Sequence, residues 1–505
     1  MSFRFKTHRI ARRTIGAMTT PTTSACPFHA DRAGVPPSLS QQPALQPPGT
    51  WPPGTWPPGP PSGITGWRLL RRMARDLLGT LDEWRGEYGN LVHLRIWPEH
   101  QIVVTDPHLA RELLVTHHDA LIRWERGIAV MSQLHGHSVL TAEGAAWQAK
   151  RRALQPGFSP RGVQAYVPLI ADATRAALAR WPADDADWPI ETAITSLAMD
   201  VIMGFLFSSP AGVDTLRAEQ AVHRMSVAGN AEFYWPASWP DWMPWQRAKR
   251  EARQVLDRLI NRQIDLRLAM DRAAWPDDVL SRLLALHLDD GAAWPRQAVR
   301  DECMTAFLAG HETTAATLTW WAWCMASSPA AQAAARTEVA TVLQGRVPTA
   351  ADLPALRAVT RTLQETLRLY PAAPVLLSRR ATAPLTLGGW QLPAGTMFMI
   401  PLQLMQRDCA WFADPLAFQP ERFAGATDSV PRGAYMPLGA GPRVCLGQHL
   451  ALTEMTLIAA MLLQRFALAV PDGMPAPTPA FNITLRPRHA LRLQLRSIKK
   501  PASES

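Results

Sequence analysis

One long run of helix-forming residues constrains the fold of this 505-residue chain most strongly. The run begins at about Pro295, a favoured first-turn residue, and ends at Ser327, where Ser328-Pro329 stops it. At a rise of about 1.5 Å per residue it extends ~50 Å, enough to cross a whole domain. Its segment Leu318 to Trp323 is apolar nearly all round. We therefore expect a helix buried at the centre of the fold.

Helical periodicity dominates from about Trp67 onward, with short strand-like pieces between the helices. The strand candidates are Val92 to Ile96, Ile102 to Thr105, Leu385 to Leu387 and Met397 to Pro401. The predicted fold class is therefore mainly α with a small β region. Residues 1–66 differ, because they are basic and Pro-rich and repeat the motif Pro-Pro-Gly-Thr-Trp. We expect this segment to be a disordered, semi-rigid spacer ahead of a folded region from 67 to 505.

Charge and hydropathy argue against two classes of protein. The formal net charge is +10, but no Lys/Arg run is interleaved with aromatic residues, so we expect no nucleic-acid partner. No apolar run approaches the roughly 20 residues that span a bilayer, so we expect no integral membrane segment.

The cysteines and the N-terminus bear on location. Five widely spaced cysteines argue against a disulfide scaffold and favour a reducing, cytoplasmic compartment. The acid-free, Arg-bearing head is also compatible with a mitochondrial transit peptide, or with a true start at Met18. These alternatives stay open.

A Gly-rich turn before a helical run carries the clearest chemistry. Cys445 lies in the turn Gly439 to Gly447, and the run Gln448 to Leu463 follows it. Backbone N–H groups and the positive end of a helix dipole favour a thiolate there, while glycines let the backbone approach a large flat ligand. Arg443 offers a fork of donors suited to a carboxylate of that ligand. These are the requirements of an axial heme ligand.

The segment Pro437 to Gly447 resembles the heme-binding signature of the cytochrome P-450 superfamily. The resemblance implies that Cys445 is the axial ligand of the iron of a heme b, with Gly439 and Gly447 close to the heme. It departs from the family pattern at Leu438, where the family usually has Phe, a position that affects the iron potential. The implied fold is a single cytochrome P-450 domain with the long helix over the heme.

The long helix contains Ala309-Gly310-His311-Glu312-Thr313-Thr314, which resembles the family's oxygen-activation motif. By this resemblance Glu312 is the acid and Thr313 the alcohol that deliver protons during oxygen activation. Gly310 and the threonines are expected to open the helix locally and leave a groove. We expect His311 to be packed or solvated rather than catalytic.

Other motifs follow the family's order and separations. Glu365-Thr366-Leu367-Arg368 is an E-x-x-R that, with Arg422 of the Pro420-Glu421-Arg422-Phe423 stretch, resembles the structural network holding the Cys segment. The W-x-x-x-R of Trp147 and Arg151 resembles the helix whose side chains bind heme propionates. Arg379, less certainly Arg380, matches a third propionate-binding arginine.

The resemblance implies a heme monooxygenase that inserts one atom of dioxygen into a small, apolar organic substrate by hydroxylation or epoxidation. Because no flavin or iron–sulfur signature follows Cys445, electrons from NAD(P)H are expected through a separate ferredoxin or flavodoxin with its reductase. The alternatives are a peroxygenase or hydroperoxide-rearranging enzyme and a non-catalytic heme sensor or carrier. The intact Glu312-Thr313 pair favours the monooxygenase.

Family topology also predicts where substrate and redox partner bind. Substrate contacts are expected in the Arg123 to Leu134 loop, the Trp-rich Tyr234 to Trp245 segment, Ala306, Ala309, Val375, Leu376 and Ile483-Thr484. The four tryptophans of the Trp-rich segment are instead packing or a peripheral lid in the alternative interpretation. The partner is expected to dock near Cys445 on Lys150, Arg152, Arg407 and Arg432, unless these are ordinary solvated cations.

Overall fold

The computed structural model describes residues 56–209, 213–234, 242–425, 430 and 432–498. Within these ranges the α-helices are α1 (Trp67–Arg75), α2 (Leu77–Tyr88), α3 (Pro107–Arg111), α4 (Glu125–His135), α5 (Gly144–Phe158), α6 (Pro160–Gln164), α7 (Val167–Arg180), α8 (Ile190–Phe207), α9 (Val213–Glu232), α10 (Arg247–Leu268), α11 (Val279–Asp289), α12 (Arg296–Ser327), α13 (Pro329–Leu343), α14 (Arg357–Leu369), α15 (Leu402–Gln406) and α16 (Gln448–Arg465). The fold is mainly helical, as the sequence predicts.

The strands form small sheets at the edge of the helical body. They are β1 (Leu91–Ile96), β2 (Glu99–Val104), β3 (Leu121–Arg123), β4 (Asp184–Trp188), β5 (Arg379–Ala381), β6 (Leu385–Leu387), β7 (Trp390–Leu392), β8 (Met397–Met399), β9 (Phe466–Ala469), β10 (Pro479–Asn482), β11 (Thr484–Pro487) and β12 (Leu493–Ser497). The largest sheet has the order β1-β2-β8-β5-β3, and β4-β12-β9, β6-β7 and β10-β11 form the others. The small β region that the sequence predicts is therefore present.

Helix α12 runs through the middle of the molecule, where Trp320, Trp321 and Phe307 are fully buried. It begins directly after Pro295 and ends at Ser327, as predicted. Helix α8 packs along it, and α14 and α16 contact its C-terminal half. The central position of α12 explains why a run of this length carries so few exposed charged residues.

Helix α8 is the one described helix with the length and apolarity of a membrane span, and 67% of it is buried inside the fold. Its Leu197, Ala198, Met199 and Phe205 are buried in the core that α12 shares. Buried core helices of soluble proteins have the same length and apolar composition, so these properties of α8 are weak evidence for a membrane span.

The folded chain begins earlier than the predicted boundary at Trp67. The indole of Trp56 stacks on His93 and His100, with ring centroids 4.6 and 4.4 Å away. The carbonyl of Pro58 accepts a hydrogen bond from the backbone N–H of His93 at 3.0 Å. Residues 56–66 are therefore attached to β1, whereas the rest of the predicted spacer, residues 1–55, lies outside the described residues.

Candidate cofactor and active site

The Cys445 loop is fixed by its own backbone. The N–H of Cys445 donates to the carbonyl of Leu438 at 3.0 Å, and Gly439 and Gly441 have φ of +78° and +71°. A Cβ on Gly441 would collide with the carbonyl oxygen of Leu114, so only glycine permits this approach. Helix α16 begins after Gly447, three residues beyond the cysteine. The Gly-rich turn before a helix thus forms where the sequence predicts it.

The Cys445 thiol is accessible to solvent, although protein atoms crowd its sulfur. This desolvation raises the pKa of the thiol above its ordinary value, while the Gly447 backbone N–H and Arg151 act in the opposite direction. The Gly447 N–H thus favours the thiolate, as the sequence predicts, but the effect of burial on the pKa is larger. A metal cation bound at the sulfur would supply the missing stabilisation.

Trp147 and Arg151 extend from α5 toward the Cys445 loop. Arg151 donates to the Val444 carbonyl at 3.1 Å, and the guanidinium of Arg443 lies 3.9 Å from the centroid of the Trp147 ring. The W-x-x-x-R helix and the Cys loop are thereby joined side chain to side chain. The structure also separates the two arginine candidates of β5, because Arg380 is paired with Glu99 and Glu125 whereas Arg379 lines the cavity beside Trp147.

Two residues of this cluster were not predicted in this role. Arg123, expected to contact substrate, lies on β3 directly opposite Arg379 on β5. Glu143 precedes α5 and accepts from Arg123 Nε at 2.6 Å and from Arg443. No spacing rule joins these residues to the cysteine motif. The position of Glu143, an acidic residue immediately before the W-x-x-x-R helix, is a signal in the sequence that could have pointed to it as a partner of the arginines.

The cluster has an excess of positive charge. Among the described residues, Glu143 is the carboxylate that contacts any of Arg123, Arg151, Arg379 and Arg443. Burial and the neighbouring arginines lower the pKa of Arg379 to about 10 and that of Arg443 to about 9. A cavity of about 160 Å³ opens beside these side chains. A ligand bearing two carboxylates next to a metal that binds sulfur fits this donor set, and heme is such a ligand.

The oxygen-activation motif differs locally from the expectation. Helix α12 is α-helical throughout, so the predicted opening is not present. Gly310 instead permits close packing, because a Cβ there would collide with the Ile202 side chain of α8. The Thr313 hydroxyl donates to the Ala309 carbonyl at 2.8 Å. Ala309 is exposed, although most of α12 is buried, so this turn lines an opening in the fold.

Two hydroxyl groups hold the Glu312 carboxylate. Its carboxylate accepts from the hydroxyls of Ser226 on α9, at 3.1 Å, and Thr484, at 3.0 Å. The neighbouring His311 is buried, its Nδ1 is 2.9 Å from the Phe307 carbonyl oxygen, and burial lowers its pKa to about 4. His311 is therefore packed, as predicted.

Glu365, Arg368 and Arg422 come together in a buried network. Arg368 forms two hydrogen bonds of 2.7 Å to the Glu365 carboxylate, and Arg422 Nε reaches the same carboxylate at 3.2 Å. Arg368 also donates to the carbonyls of Gln406 and Pro415. Because Gln406 accepts from the Met436 N–H at 3.0 Å, the network reaches the chain that enters the Cys445 loop.

The predicted docking patch is wrong for two of its four cations. Lys150 forms an ion pair of 2.8 Å with Glu302, which is fully buried on α12. Arg407 donates to the Leu369 carbonyl and lies over the Tyr370 ring. Arg152 and Arg432 are exposed, as the prediction requires.

The Trp-rich segment is described only in part. Trp242 is 72% exposed and Trp245 62%, so neither is a core residue. Trp235 and Trp239 lie outside the described residues.

Comparison with known proteins identifies the family of this chain. The family profile for cytochrome P450 matches residues 57–494. The chain is 33% identical to cyclooctat-9-en-7-ol 5-monooxygenase of Streptomyces melanosporofaciens over 76% of its length and 84% of the relative. It is 32% identical to cyclooctatin synthase of the same organism (79% and 88%) and 32% identical to cytochrome P450 734A4 of Oryza sativa subsp. japonica (78% and 80%). The chain belongs to the cytochrome P450 family and is therefore a heme-dependent oxidoreductase of the monooxygenase class.

Proposed function

We propose that this protein inserts one atom of dioxygen into a small, apolar organic substrate, by hydroxylation or epoxidation, with heme b as its cofactor. The observation that carries the proposal is the Cys445 loop joined to a cluster of four arginines that contacts one carboxylate among the described residues. A thiolate ligand beside arginines whose positive charge exceeds that of their carboxylate partner suits a metal cofactor with two carboxylates of its own. Heme is such a cofactor.

Each residue of the cluster has a role in holding the cofactor. Cys445 would hold the heme iron through its thiolate, and Gly439 and Gly447 would allow the backbone to lie close to the porphyrin. Trp147, Arg151, Arg379 and Arg443, together with Arg123, bind its propionates. When bound, heme supplies the activation of dioxygen, and the thiolate of the axial ligand favours cleavage of the O–O bond.

Thr313 and Glu312 move protons to the reaction site. The Thr313 hydroxyl donates to the Ala309 carbonyl, and rotation about its C–O bond would exchange this hydrogen bond for one directed into the opening beside it. Glu312 stands one residue earlier, and its contacts with Ser226 and Thr484 are hydroxyl hydrogen bonds that allow reprotonation through water. Both roles are part of the proposal.

The substrate is apolar because the groups near this opening are apolar. Ala306, one turn before Ala309 on α12, is half-buried. Leu376 is also half-buried, and its side chain would lie 3.9 Å from a Cβ built on Gly439 of the Cys445 loop. Two of the relatives are named for cyclooctat-9-en-7-ol and cyclooctatin. We therefore propose a lipophilic molecule as substrate.

Electrons come from NAD(P)H through a separate ferredoxin or flavodoxin and its reductase. We propose that this acidic carrier docks near Arg152 of α5 and Arg432 before the Cys445 loop, since both are exposed cations. A cytoplasmic location, where NAD(P)H and small electron carriers occur, is part of the same proposal.

The test is the absorption spectrum of the reduced protein with carbon monoxide. Cys445→Ser is expected to abolish the red-shifted Soret band, because that shift requires a thiolate opposite the carbon monoxide. Cys324→Ser, at a buried free thiol, is the matched control and is expected to keep the band. An unchanged band in Cys445→Ser would remove this residue as the ligand.

A further inference from the structure

Glu143 occupies the N-cap position of α5 but does not cap the helix. Its backbone is extended, with φ −120° and ψ 166°, and its side chain makes no hydrogen bond to the first turn. The side chains that usually accept from those N–H groups are the shorter Ser, Thr, Asp and Asn. Its carboxylate is directed to Arg123 Nε, 2.6 Å away, and to Arg443. The polar contacts of the Glu143 carboxylate are therefore with these two arginines and not with the start of α5.

The sheet and the Cys445 loop bring these arginines close together. Arg123 and Arg379 are directly opposed across the antiparallel pair β3–β5. Arg123 and Arg443 both donate to the carbonyl oxygen of Ala142. Like charges placed directly opposite one another on a sheet are destabilising. The fold thus carries an electrostatic cost at this point.

Glu143 is the group that offsets this cost. Burial lowers the pKa of Arg123, Arg379 and Arg443, and neighbouring arginines lower that of Arg379 and Arg443 further. Glu143 acts in the opposite direction on all three. No other carboxylate contacts these three arginines among the described residues. Arg379 donates only to the Leu377 carbonyl in the hydrogen bonds seen here. The cluster therefore has one carboxylate for several arginines and can bind further carboxylates.

We propose that Glu143 is the resident counter-ion of the propionate-binding arginines. It holds Arg123 and Arg443 in position while heme is absent and competes with the propionates for them once heme is bound. The inference rests on the proposed propionate site. It assigns a positioning role, since Glu143 acts on heme through the arginines.

Charge counting gives the direction of the effect. The four arginines and Glu143 sum to +3 without heme and to +1 with two propionates. In a Glu143→Gln variant the sums become +4 and +2, because one negative charge is lost in each state. Loss of this charge destabilises the heme-free protein more than the holoenzyme, because in the holoenzyme the propionates still neutralise the arginines. The variant should therefore hold its heme more tightly than the wild type.

The experiment measures the rate of heme transfer from the holoenzyme to excess apomyoglobin, together with the reduction potential of the heme. Glu143→Gln is expected to lose heme roughly threefold to tenfold more slowly. Its potential is expected to rise, because a negative charge near the iron is removed. Glu251→Gln, which breaks the exposed Arg247–Glu251 pair on α10, is the matched control and should match wild type in both.

The outcomes separate the inference from the site on which it rests. A purely structural role for Glu143 would loosen the cluster, so unchanged or faster heme loss in Glu143→Gln overturns the inference. Arg379→Ala is expected to lose heme faster. If Arg379→Ala loses heme at the wild-type rate, the propionate site itself is wrong. If Arg379→Ala loses heme faster as expected but Glu143→Gln does not lose it more slowly, the propionate site is supported and the counter-ion role of Glu143 is wrong.

Discussion

Replacement of Glu454 by glutamine should stabilise this protein by an amount that grows with pH. Glu454 lies on α16 with 3% of its surface exposed, and its Oε1 has no hydrogen-bond partner among the described residues. Burial raises the pKa of its carboxyl from 4.5 to about 8, and a hydrogen bond with the Thr314 side chain opposes this only in part. The folded protein therefore keeps this side chain protonated at neutral pH.

The sign and size follow from linkage. An unfolded chain releases the proton of Glu454 near pH 4.5, whereas the folded chain keeps it to about pH 8. Stability is therefore lost as the pH rises through this window, and the loss levels off above it. At about 1.4 kcal/mol per pKa unit, the carboxyl costs ~1 kcal/mol at pH 5 and ~3 kcal/mol at pH 7. Glutamine does not titrate, so its advantage should grow by roughly 2–3 kcal/mol between these pH values.

The assay is urea unfolding of wild type and Glu454→Gln at pH 5, 6 and 7, followed by circular dichroism. The difference between the two proteins is the quantity of interest, because a constant effect of burying an amide cancels when pH values are compared. Glu421→Gln is the control, since its side chain is 78% exposed and meets similar solvent before and after unfolding. A difference that stays flat from pH 5 to 7 would refute the assigned ionisation state.

Three further results are expected. Thr313→Ala should keep its heme but release more hydrogen peroxide per NAD(P)H, and wild-type coupling would contradict the proton-delivery role. Gly310→Ala should destabilise the holoenzyme by about 1–3 kcal/mol, and adding Ile202→Val should recover part of the loss, because the new methyl collides with Ile202. Arg152→Glu should slow reduction by an acidic ferredoxin at low ionic strength, with less effect in high salt; Arg175→Glu, 62% exposed on α7, should not.

Local signals explain which parts of the structure could be predicted. Helix α12 is bounded by Pro295 and by Ser328-Pro329, and these backbone constraints act regardless of what packs around the helix. The Cys445 loop likewise depends on glycines with positive φ, a property readable from composition. Elements that are fixed by their own residues are therefore visible in a single sequence.

Contacts between distant segments were beyond the reach of such signals. Arg123 joins the cluster because β3 pairs with β5, and that register depends on the whole five-stranded sheet. The sequence predicts a helix opening at Gly310. Its actual role depends on contact with Ile202 of α8, which is 108 positions away in the chain and so cannot be inferred from local pattern. For both Arg123 and Gly310, the residue type is visible in the sequence, but the role depends on a residue that only the folded structure brings into contact.

The error at Lys150 had a different origin, because the sequence contained enough information to avoid it. Lys150 and Arg152 are two positions apart on α5, and residues at that spacing point about 200° apart around a helix. They cannot share a docking face. Arg151 reaches Val444, so Lys150 lies on the side that meets Glu302 of α12, while Arg152 lies opposite and is exposed. A basic patch on a helix must therefore be counted by face, and on this helix Arg152 is exposed whereas Lys150 pairs with the buried Glu302.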